Sequence, residues 1–435
     1  LIYDTVHIFH CCTVYNNVVS FFHFNIPVTS ELMHILDLPL ELLTVVLSYL
    51  QGQDLARVCQ TCNFLRDLAM QGPLWQWRCR KEYKLRSNEG WNASYYEIYS
   101  KVLVKYGTLV GVWKTTMNCY GGLFNVMYWL GQILVEEYFP AKHIKEPLKS
   151  APWFSISLEN GDVSVKCLLD SGSIPHLDEV KFDQEEEMDG RHTLTTNLIC
   201  HGIINQELEE DHEVFQRWVE KEHVRGMRPD LLKIKWDLTK HQRNHLKLSP
   251  LVLPSPKPDT VIQPGLFKGS YSEHGTYLLM LSYSDETQEI HLTKITGNNI
   301  VPAGEISVYV DLRRPMILNR GQQESLQTLR NIESPDLPPE SDGYTYFSQP
   351  FIIPSQCEVG EDCSDLPEDC KARYHSKGRI AAFDYNNPTF VKNHWIMFSE
   401  DLFGVLWLDL HSFTCFSRVK EEFEVGNNLC HLQAS

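Results

Sequence analysis

Cysteine and histidine side chains in the first half of the chain have the chemistry of a metal site. Cys167, His176 and Cys200 offer two thiolates and one imidazole, the ligand types of a tetrahedral zinc site. Further histidines follow at His192, His201 and His212. The spacing is looser than that of common zinc motifs, and reduced cysteines with surface histidines explain the same residues. The sequence leaves both interpretations open.

Catalytic signatures are absent from the sequence. It contains no Gly-x-Ser-x-Gly elbow, no His-Glu-x-x-His motif, no Walker loop and no dinucleotide fingerprint. The stretch PGLFKGSY has glycines and a lysine, but its spacing is wrong for a phosphate loop and it lies in a predicted strand. A second thiol and imidazole set, Cys357, Cys363, Cys370 and His375, matches no zinc spacing. The chain therefore resembles a binding protein more than an enzyme.

The stretch Leu36–Tyr83 predicts a small group of helices. Pro39 suits a first helical turn, Asp37 is a possible cap, and Glu41 lies where the helix dipole favours a negative charge. Gly52 is expected to end the first helix and Asp54 to cap the next. Apolar residues repeat at helical spacing through Leu42, Leu43, Val46, Leu47 and Leu50. A unit this short buries too little surface to hide them all, which indicates a docking surface.

The remaining chain changes from helical to strand periodicity. Ala93 to Tyr106 predicts a helix, and alternating apolar runs from Leu109 onward predict short strands separated by Gly, Pro and Asn-Gly turns. Residues 231–238 fit a helix or an edge strand. The pattern predicts an α+β fold with a mainly antiparallel β-barrel.

The expected domain order follows from these patterns. The N-terminal part is predicted to consist of an unstructured or artefactual extension at 1–29, the docking helices at 30–83 and a helical linker at 84–108. Barrel strands are predicted at 109–318 and again at 349–425, separated by a flexible loop at 319–348 and followed by a tail at 426–435.

Composition narrows the class of protein. The chain has 435 residues, 43% of them hydrophobic, and a formal net charge of −17. So acidic a chain is a poor candidate for nucleic-acid binding, which needs clustered Lys and Arg. The thirteen cysteines show no regular framework, so we expect them to be reduced. No apolar run is long enough for a membrane span. We expect the protein in the cytoplasm and nucleus.

The helical stretch resembles an F-box, the motif that attaches a protein to the Skp adaptor of an SCF-type ubiquitin ligase. The resemblance rests on Leu38-Pro39, the Leu42/Leu43 pair, Gly52, Asp54-Leu55 and the downstream Trp75. It implies that a Skp adaptor and a cullin–RING ligase are partners. The residues implied at the adaptor surface or its supporting core are Leu38, Pro39, Leu42, Leu43, Val46, Leu47, Leu50, Leu55, Val58 and Trp75.

Later blocks resemble a group of F-box receptors with a β-barrel substrate domain. The blocks are YGGLFNV, PGLFKGSYSEHG, TKITGNNIVPAGE, VDLRRPMIL and SEDLFGVLWLDLHSFTCFSRV. The resemblance implies that the barrel selects clients such as D-type cyclins through their C-terminal tails. It also implies one structural zinc at Cys167, His176 and Cys200. A fourth histidine is expected about six residues after Cys200, where this chain has Gln206, and His201 or His212 are possible substitutes.

A receptor for protein tails needs donors for the terminal group and an apolar slot for the last side chain. Phe267, Tyr283 and Trp407 are candidates for the walls of the slot. The candidate substrate-binding residues are Lys268, Tyr271, His274, Lys294 and Arg313, with Arg314 beside them. Two other functions stay open: an F-box scaffold that does not promote ubiquitination, and a barrel that carries a small ligand.

Overall fold

The structure is a computed structural model, and the chain divides into two compact units, Leu1–Leu74 and Trp75–Ser435. The residues that it describes are 12–15, 18–21, 35–115, 118–168, 180–186, 192–198, 215–216, 218–219, 227–239, 245–271, 274–284, 288–332 and 348–423. Two strands near the start, β1 (Cys12–Tyr15) and β2 (Val18–Phe21), pair antiparallel. The predicted unstructured extension therefore contains a short hairpin, built from residues with high strand propensity.

The first unit contains the first three helices of the predicted group. After a 3₁₀ turn at Ile35–Asp37 come α1 (Leu40–Tyr49), α2 (Gly52–Val58) and α3 (Asn63–Ala69), and α4 (Gly72–Tyr83) continues into the second unit. Pro39 directly precedes α1, as its fixed φ favours. Two local predictions were wrong: Gly52 begins α2 instead of ending α1, and Asp54 lies inside α2, where it pairs with Arg57.

A second helical segment follows α4 within the larger unit. It consists of α5 (Tyr95–Glu97), a π-helical Ile98–Leu103 and α6 (Val104–Tyr106). Ser94 begins it with a capping box, in which Ser94 and Glu97 each bond the other's backbone N–H. The predicted helix at 93–106 is thus present, with one turn wound more loosely than an α-helix. A 3₁₀ turn at Gly107–Leu109 leads into the first sheet.

The first sheet is open and has eight strands. Its order is β7-β6-β5-β4-β3-β10-β9-β8, with every neighbouring pair antiparallel. The strands are β3 (Gly111–Thr115), β4 (Gly122–Trp129), β5 (Gln132–Phe139), β6 (Lys149–Glu159), β7 (Asp162–Cys167), β8 (Val180–Glu186), β9 (His192–Leu198) and β10 (His245–Pro250). Between β9 and β10 lies α7 (Pro229–Thr239), which decides the ambiguous 231–238 stretch in favour of a helix.

The second sheet closes into an eight-stranded barrel. Its strands pair in the order β11-β12-β13-β14-β18-β19-β20-β21, and β21 pairs back onto β11. Short β16 adds to β21, and β15 pairs with β17. The strands are β11 (Gly265–Ser270), β12 (Thr276–Ser284), β13 (Glu289–Lys294), β14 (Ile306–Pro315), β15 (Gln349–Pro350), β16 (Glu358–Val359), β17 (Asp369–Cys370), β18 (Ala372–Ala382), β19 (Asn386–Ser399), β20 (Leu402–Trp407) and β21 (Ser412–Arg418).

These two sheets confirm the α+β class with a mainly antiparallel barrel. The strands that the sequence analysis assigned to one barrel at 109–318 and 349–425 belong to two sheets. Strands between 111 and 250 form the open sheet, and only 265–418 forms the barrel. Among the described residues no helix is long and apolar enough to cross a membrane.

Between the register shifts, side chains of the barrel strands alternate between an inner and an outer face. On β12, Leu279 and Leu281 point into the barrel core, whereas Leu278 and Met280 point outward. The outward pair packs with Val112 and other residues of the open sheet, so both sheets share one apolar cluster. This packing explains why Leu278 is buried although it lies outside the barrel.

Another part of the barrel's outer face is covered by a segment predicted as a flexible loop. Within 319–348, α8 (Arg320–Gln323) and α9 (Leu326–Arg330) are helical, and Leu326 and Leu329 pack on Ile396 of β19. An Asn319–Gln322 capping box starts α8, a local signal that the polar composition conceals. In the same cluster Cys363 and Cys415 form a disulfide, which departs from the expectation of reduced cysteines.

The close approach at Gly378 makes a direct test of barrel packing. A Cβ at this position would overlap the Trp407 indole and the Asn393 amide. We expect Gly378→Ala to destabilise the protein by about 2–3 kcal/mol, because over-packing forces neighbours off their rotamers. Thermal unfolding measures the change. Gly321→Ala is the matched control, since its new methyl meets only ordinary contact at 3.6 Å. An unchanged melting temperature for Gly378→Ala would contradict the closed barrel.

Candidate functional site

Helix α1 has two apolar faces of different exposure. Leu43 and Leu47 point into the protein and are 1% and 3% exposed. Val46 and Tyr49 are 40% and 75% exposed, and half-buried Leu42 lies one turn before Val46. Leu42, Val46 and Tyr49 are spaced i, i+4, i+7, which aligns them along one helix face. An exposed apolar face of this kind is characteristic of a partner-binding helix.

The structure sorts the predicted adaptor residues by exposure. The buried ones are Leu43, Leu47, Leu55 and Trp75, the partly buried ones Leu38, Leu42, Leu50 and Val58, and the exposed ones Pro39 and Val46. The buried four support the fold, so the exposed and partly buried residues are the available contact surface. Exposed apolar residues of the helical stretch outside that predicted set include Ile35, Leu36, Leu40, Tyr49 and Phe64. A helical-wheel plot would have found Tyr49 beside Val46.

Trp75 anchors α4 within the larger unit. Its ring lies 5.0 Å from the rings of both Tyr96 and Tyr99, centroid to centroid. The hydroxyl of Tyr99 donates a 2.6 Å hydrogen bond to Glu82, whose other oxygen accepts from the buried Arg78. Aromatic packing and a charge-assisted bond therefore fix this helix to the following helical segment.

At one end of the barrel a buried lysine points inward. Lys294 ends β13 on the same face as Ile290 and Leu292, which line the barrel core, and it is 3% exposed. Its Nζ lies 4.3 Å from the Tyr277 ring centroid and 5.0 Å from that of Tyr271. No described carboxylate forms an ion pair with it. Burial lowers the pKa of the Lys294 ammonium to about 7.

The two tyrosines beside Lys294 are held by hydrogen bonds. The hydroxyl of Tyr277 donates to the His274 carbonyl at 2.7 Å and accepts from the Asn298 amide at 3.0 Å. The hydroxyl of Tyr271 lies 3.4 Å from the Ser307 hydroxyl, and burial raises the pKa of Tyr271 to about 12. Both phenols therefore stay neutral near pH 7. The site combines a cation with phenol hydroxyls, which suits a carboxylate, while the two ring faces attract the ammonium.

The other predicted pocket residues lie elsewhere. Lys268 points outward from β11 and donates to the Glu146 carbonyl, and Arg313 is exposed and bonds Asp311. Of the predicted walls, Phe267 and Trp407 belong to the barrel core. The hydroxyl of Tyr283 contacts the backbone of Ile262. The structure thus brings together Tyr271, Lys294 and the His274 backbone, and separates Lys268 and Arg313 from them.

The predicted zinc ligands fall largely outside the described residues. Cys167 ends β7, and only its backbone is described, while His176 and Cys200 lie outside the described residues. For the second set, Cys363 is in the disulfide and Cys357 and Cys370 are free thiols. The described part of the chain gathers no group of three potential metal ligands.

Two known families match separate parts of the chain. The family described as F-box-like matches residues 35–81, which include α1 to α3 and most of α4. The family described as Cyclin D1 binding domain matches residues 249–422, which include the whole barrel.

Similar proteins extend the match over most of the chain. F-box only protein 31 from Rattus norvegicus is 28% identical and covers 90% of this chain and 85% of its own length. The Mus musculus protein of the same name gives the same values, and F-box only protein 31-A from Xenopus laevis is 27% identical over 89% of this chain and 84% of its own. These matches confirm the F-box resemblance.

Proposed function

This chain is a homologue of F-box only protein 31 with an F-box region and a cyclin D1 binding domain, and from that premise we propose that it is the substrate receptor of an SCF ubiquitin ligase. The F-box helices bind the Skp adaptor, and the barrel binds client proteins such as D-type cyclins. One observation carries the proposal: a single chain joins a helix with an exposed apolar face to a closed barrel that coincides with the cyclin D1 binding match.

The receptor acts by proximity and needs no nucleophile. The thioester chemistry belongs to the recruited conjugating enzyme, and the receptor holds a client lysine near that thioester. Holding two reactants together in the right geometry can lower the activation free energy by up to about 7–11 kcal/mol. F-box proteins typically serve as such non-catalytic adaptors.

We propose that the client tail is bound at Lys294. A terminal carboxylate that reaches the Lys294 ammonium must leave water for the buried site. Its attraction to the cation is stronger in that site than at the protein surface. Tyr271, whose ring centroid lies 5.0 Å from the ammonium, carries a hydroxyl for the tail, and the neighbouring core residues match an apolar last side chain. Of the five substrate residues predicted from the sequence, this proposal retains Tyr271, His274 and Lys294.

Client turnover distinguishes the receptor from an F-box scaffold. We expect a D-type cyclin to co-purify with the protein and to accumulate in cells when residues 35–81 are deleted. A cyclin that binds but keeps the same half-life after that deletion would favour the scaffold. A protein that binds no D-type cyclin at all would contradict the client class.

We also propose one structural zinc, bound by Cys167, His176 and Cys200. We expect about one zinc per chain in native mass spectrometry, and its loss in Cys200→Ser, because tetrahedral sites rarely survive removal of a thiolate. Cys357→Ser, which removes a free thiol elsewhere, is the control. Wild-type protein without zinc would contradict this proposal and leave the receptor function untouched.

A further inference from the structure

Two cross-strand pairs of basic residues lie side by side on the outer face of the barrel. His375 of β18 lies directly opposite His394 of β19, and Lys377 lies directly opposite Lys392. The residue between the two β18 positions, Ser376, is on the other face, since strand side chains alternate. Like charges directly across a ladder destabilise a sheet, so the Lys377/Lys392 pair is an unfavourable arrangement.

Several buried nitrogens behind these residue pairs have no hydrogen-bond partner among the described residues. They are Nε and Nη2 of Arg373, Nε2 of His375 and Nδ1 of His394. Arg373 and His394 are each 1% exposed, and the two histidine rings lie 5.6 Å apart. An unsatisfied buried donor costs about 1–3 kcal/mol, more when it is charged. A bound acceptor would satisfy the two Arg373 donors and any histidine nitrogen that carries a proton.

Neighbouring charges do not supply that acceptor. Asp311, a carboxylate whose charge acts on His375, is held by Arg313 at 2.9 and 3.2 Å. Arg314 adds a further positive charge beside His375. Among the described residues neither Lys377 nor Lys392 forms an ion pair. The result is a basic region on a chain whose net charge is −17.

We propose that this region binds an oxyanion, either a phosphate monoester or a carboxylate. The exposed Lys377 and Lys392 attract the anion and neutralise it from the solvent side. Half-buried His375 donates from below, with Arg373 and His394 behind it. Charged donors form short, strong bonds with phosphate and carboxylate oxygens. The site lies on the outside of the barrel, whereas Lys294 points inward, so the two do not share a ligand.

Binding would also remove the repulsion within the ladder. Burial and the Arg314 charge, with smaller contributions from Lys392 and Arg373, lower the pKa of His375 to about 4, while Asp311 opposes them by raising it. A bound anion adds the opposite charge and raises that pKa. Anion binding and His375 protonation are therefore coupled.

The test uses the full chain with inorganic phosphate, and with acetate in a parallel series, at constant ionic strength. We expect phosphate or acetate to raise the melting temperature and to shift the His375 ring signals in NMR. Lys377→Met with Lys392→Met should weaken the affinity of the protein for the anion at least about tenfold. Without anion this variant should melt no lower than wild type, because like charges have been removed.

Lys105→Met with Lys233→Met is the matched control, since both lysines are exposed and lie on helices, outside strands β18 and β19. Its response to phosphate should equal that of wild type. A response to phosphate alone assigns the site to phosphate monoesters, and a response to both anions assigns it to oxyanions in general. Wild type that responds to neither anion, or a variant that responds fully, overturns the proposal.

Discussion

Val46→Glu with Tyr49→Ala should abolish binding of the Skp adaptor while the protein stays folded. Both side chains are exposed on α1, so their loss leaves the core intact. A charge at the centre of an apolar interface, together with the loss of an aromatic anchor, costs more than about 3 kcal/mol, or at least about 100-fold in Kd. Co-purification and surface plasmon resonance measure the loss, and circular dichroism checks the fold.

The matched control makes the same chemical changes on the barrel unit. Leu410→Glu with Phe383→Ala alters two side chains that are 51% and 53% exposed, and adaptor binding should not change. Leu43→Ala is less informative because Leu43 is 1% exposed, and the cavity would cost about 2–5 kcal/mol of stability. Full adaptor binding by the Val46/Tyr49 variant would contradict the assignment of this helix face.

Lys294→Met should make the protein more stable and should eliminate client-tail binding. In wild type the unfolded chain holds the Lys294 proton up to its ordinary pKa of 10.5, whereas burial lowers the folded pKa to about 7. The unfolded state therefore binds more protons between pH 7 and 10.5, so wild-type stability increases with pH across that window. Methionine removes this cost, which is about 2–4 kcal/mol at pH 7. Urea unfolding at pH 7 and pH 10 measures both effects.

Lys268→Met is the matched control for that variant. Lys268 is also buried, but it points outward and its ammonium bonds the Glu146 carbonyl. Its replacement removes this hydrogen bond outside the barrel core and should leave peptide binding unchanged. Peptide affinity is measured by fluorescence anisotropy with a D-type-cyclin tail. If Lys294→Met binds that peptide as wild type does, the pocket lies elsewhere.

Local patterns in the sequence predict much of this fold. The apolar period of 3.6 through Leu43 and Leu47 predicts α1, and the period of two through Leu279 and Leu281 predicts β12. Both periodicities depend only on neighbouring residues, so they can be recognised without knowledge of the tertiary structure. The F-box resemblance adds the function of α1, which periodicity alone cannot provide.

Long-range pairing explains what the sequence could not predict. Lys268 and Lys294 both lie in amphipathic strands, but only the closing pair of β11 with β21 determines which face is inside. For the same reason the strands before Pro250 look like barrel strands, although they pair among themselves in an open sheet. The apolar residues on the outer barrel face, such as Leu278 and Ile396, blur the alternation further because other elements cover them.

The most direct test of the receptor function is ubiquitination in a reconstituted cullin–RING reaction with a D-type cyclin. Wild-type protein should support cyclin ubiquitination, and the Val46→Glu/Tyr49→Ala variant should bind cyclin equally well yet support none. That result requires both halves of the molecule to act in one chain. Cyclin that binds wild-type protein in the complete reaction but remains unmodified would contradict the receptor function.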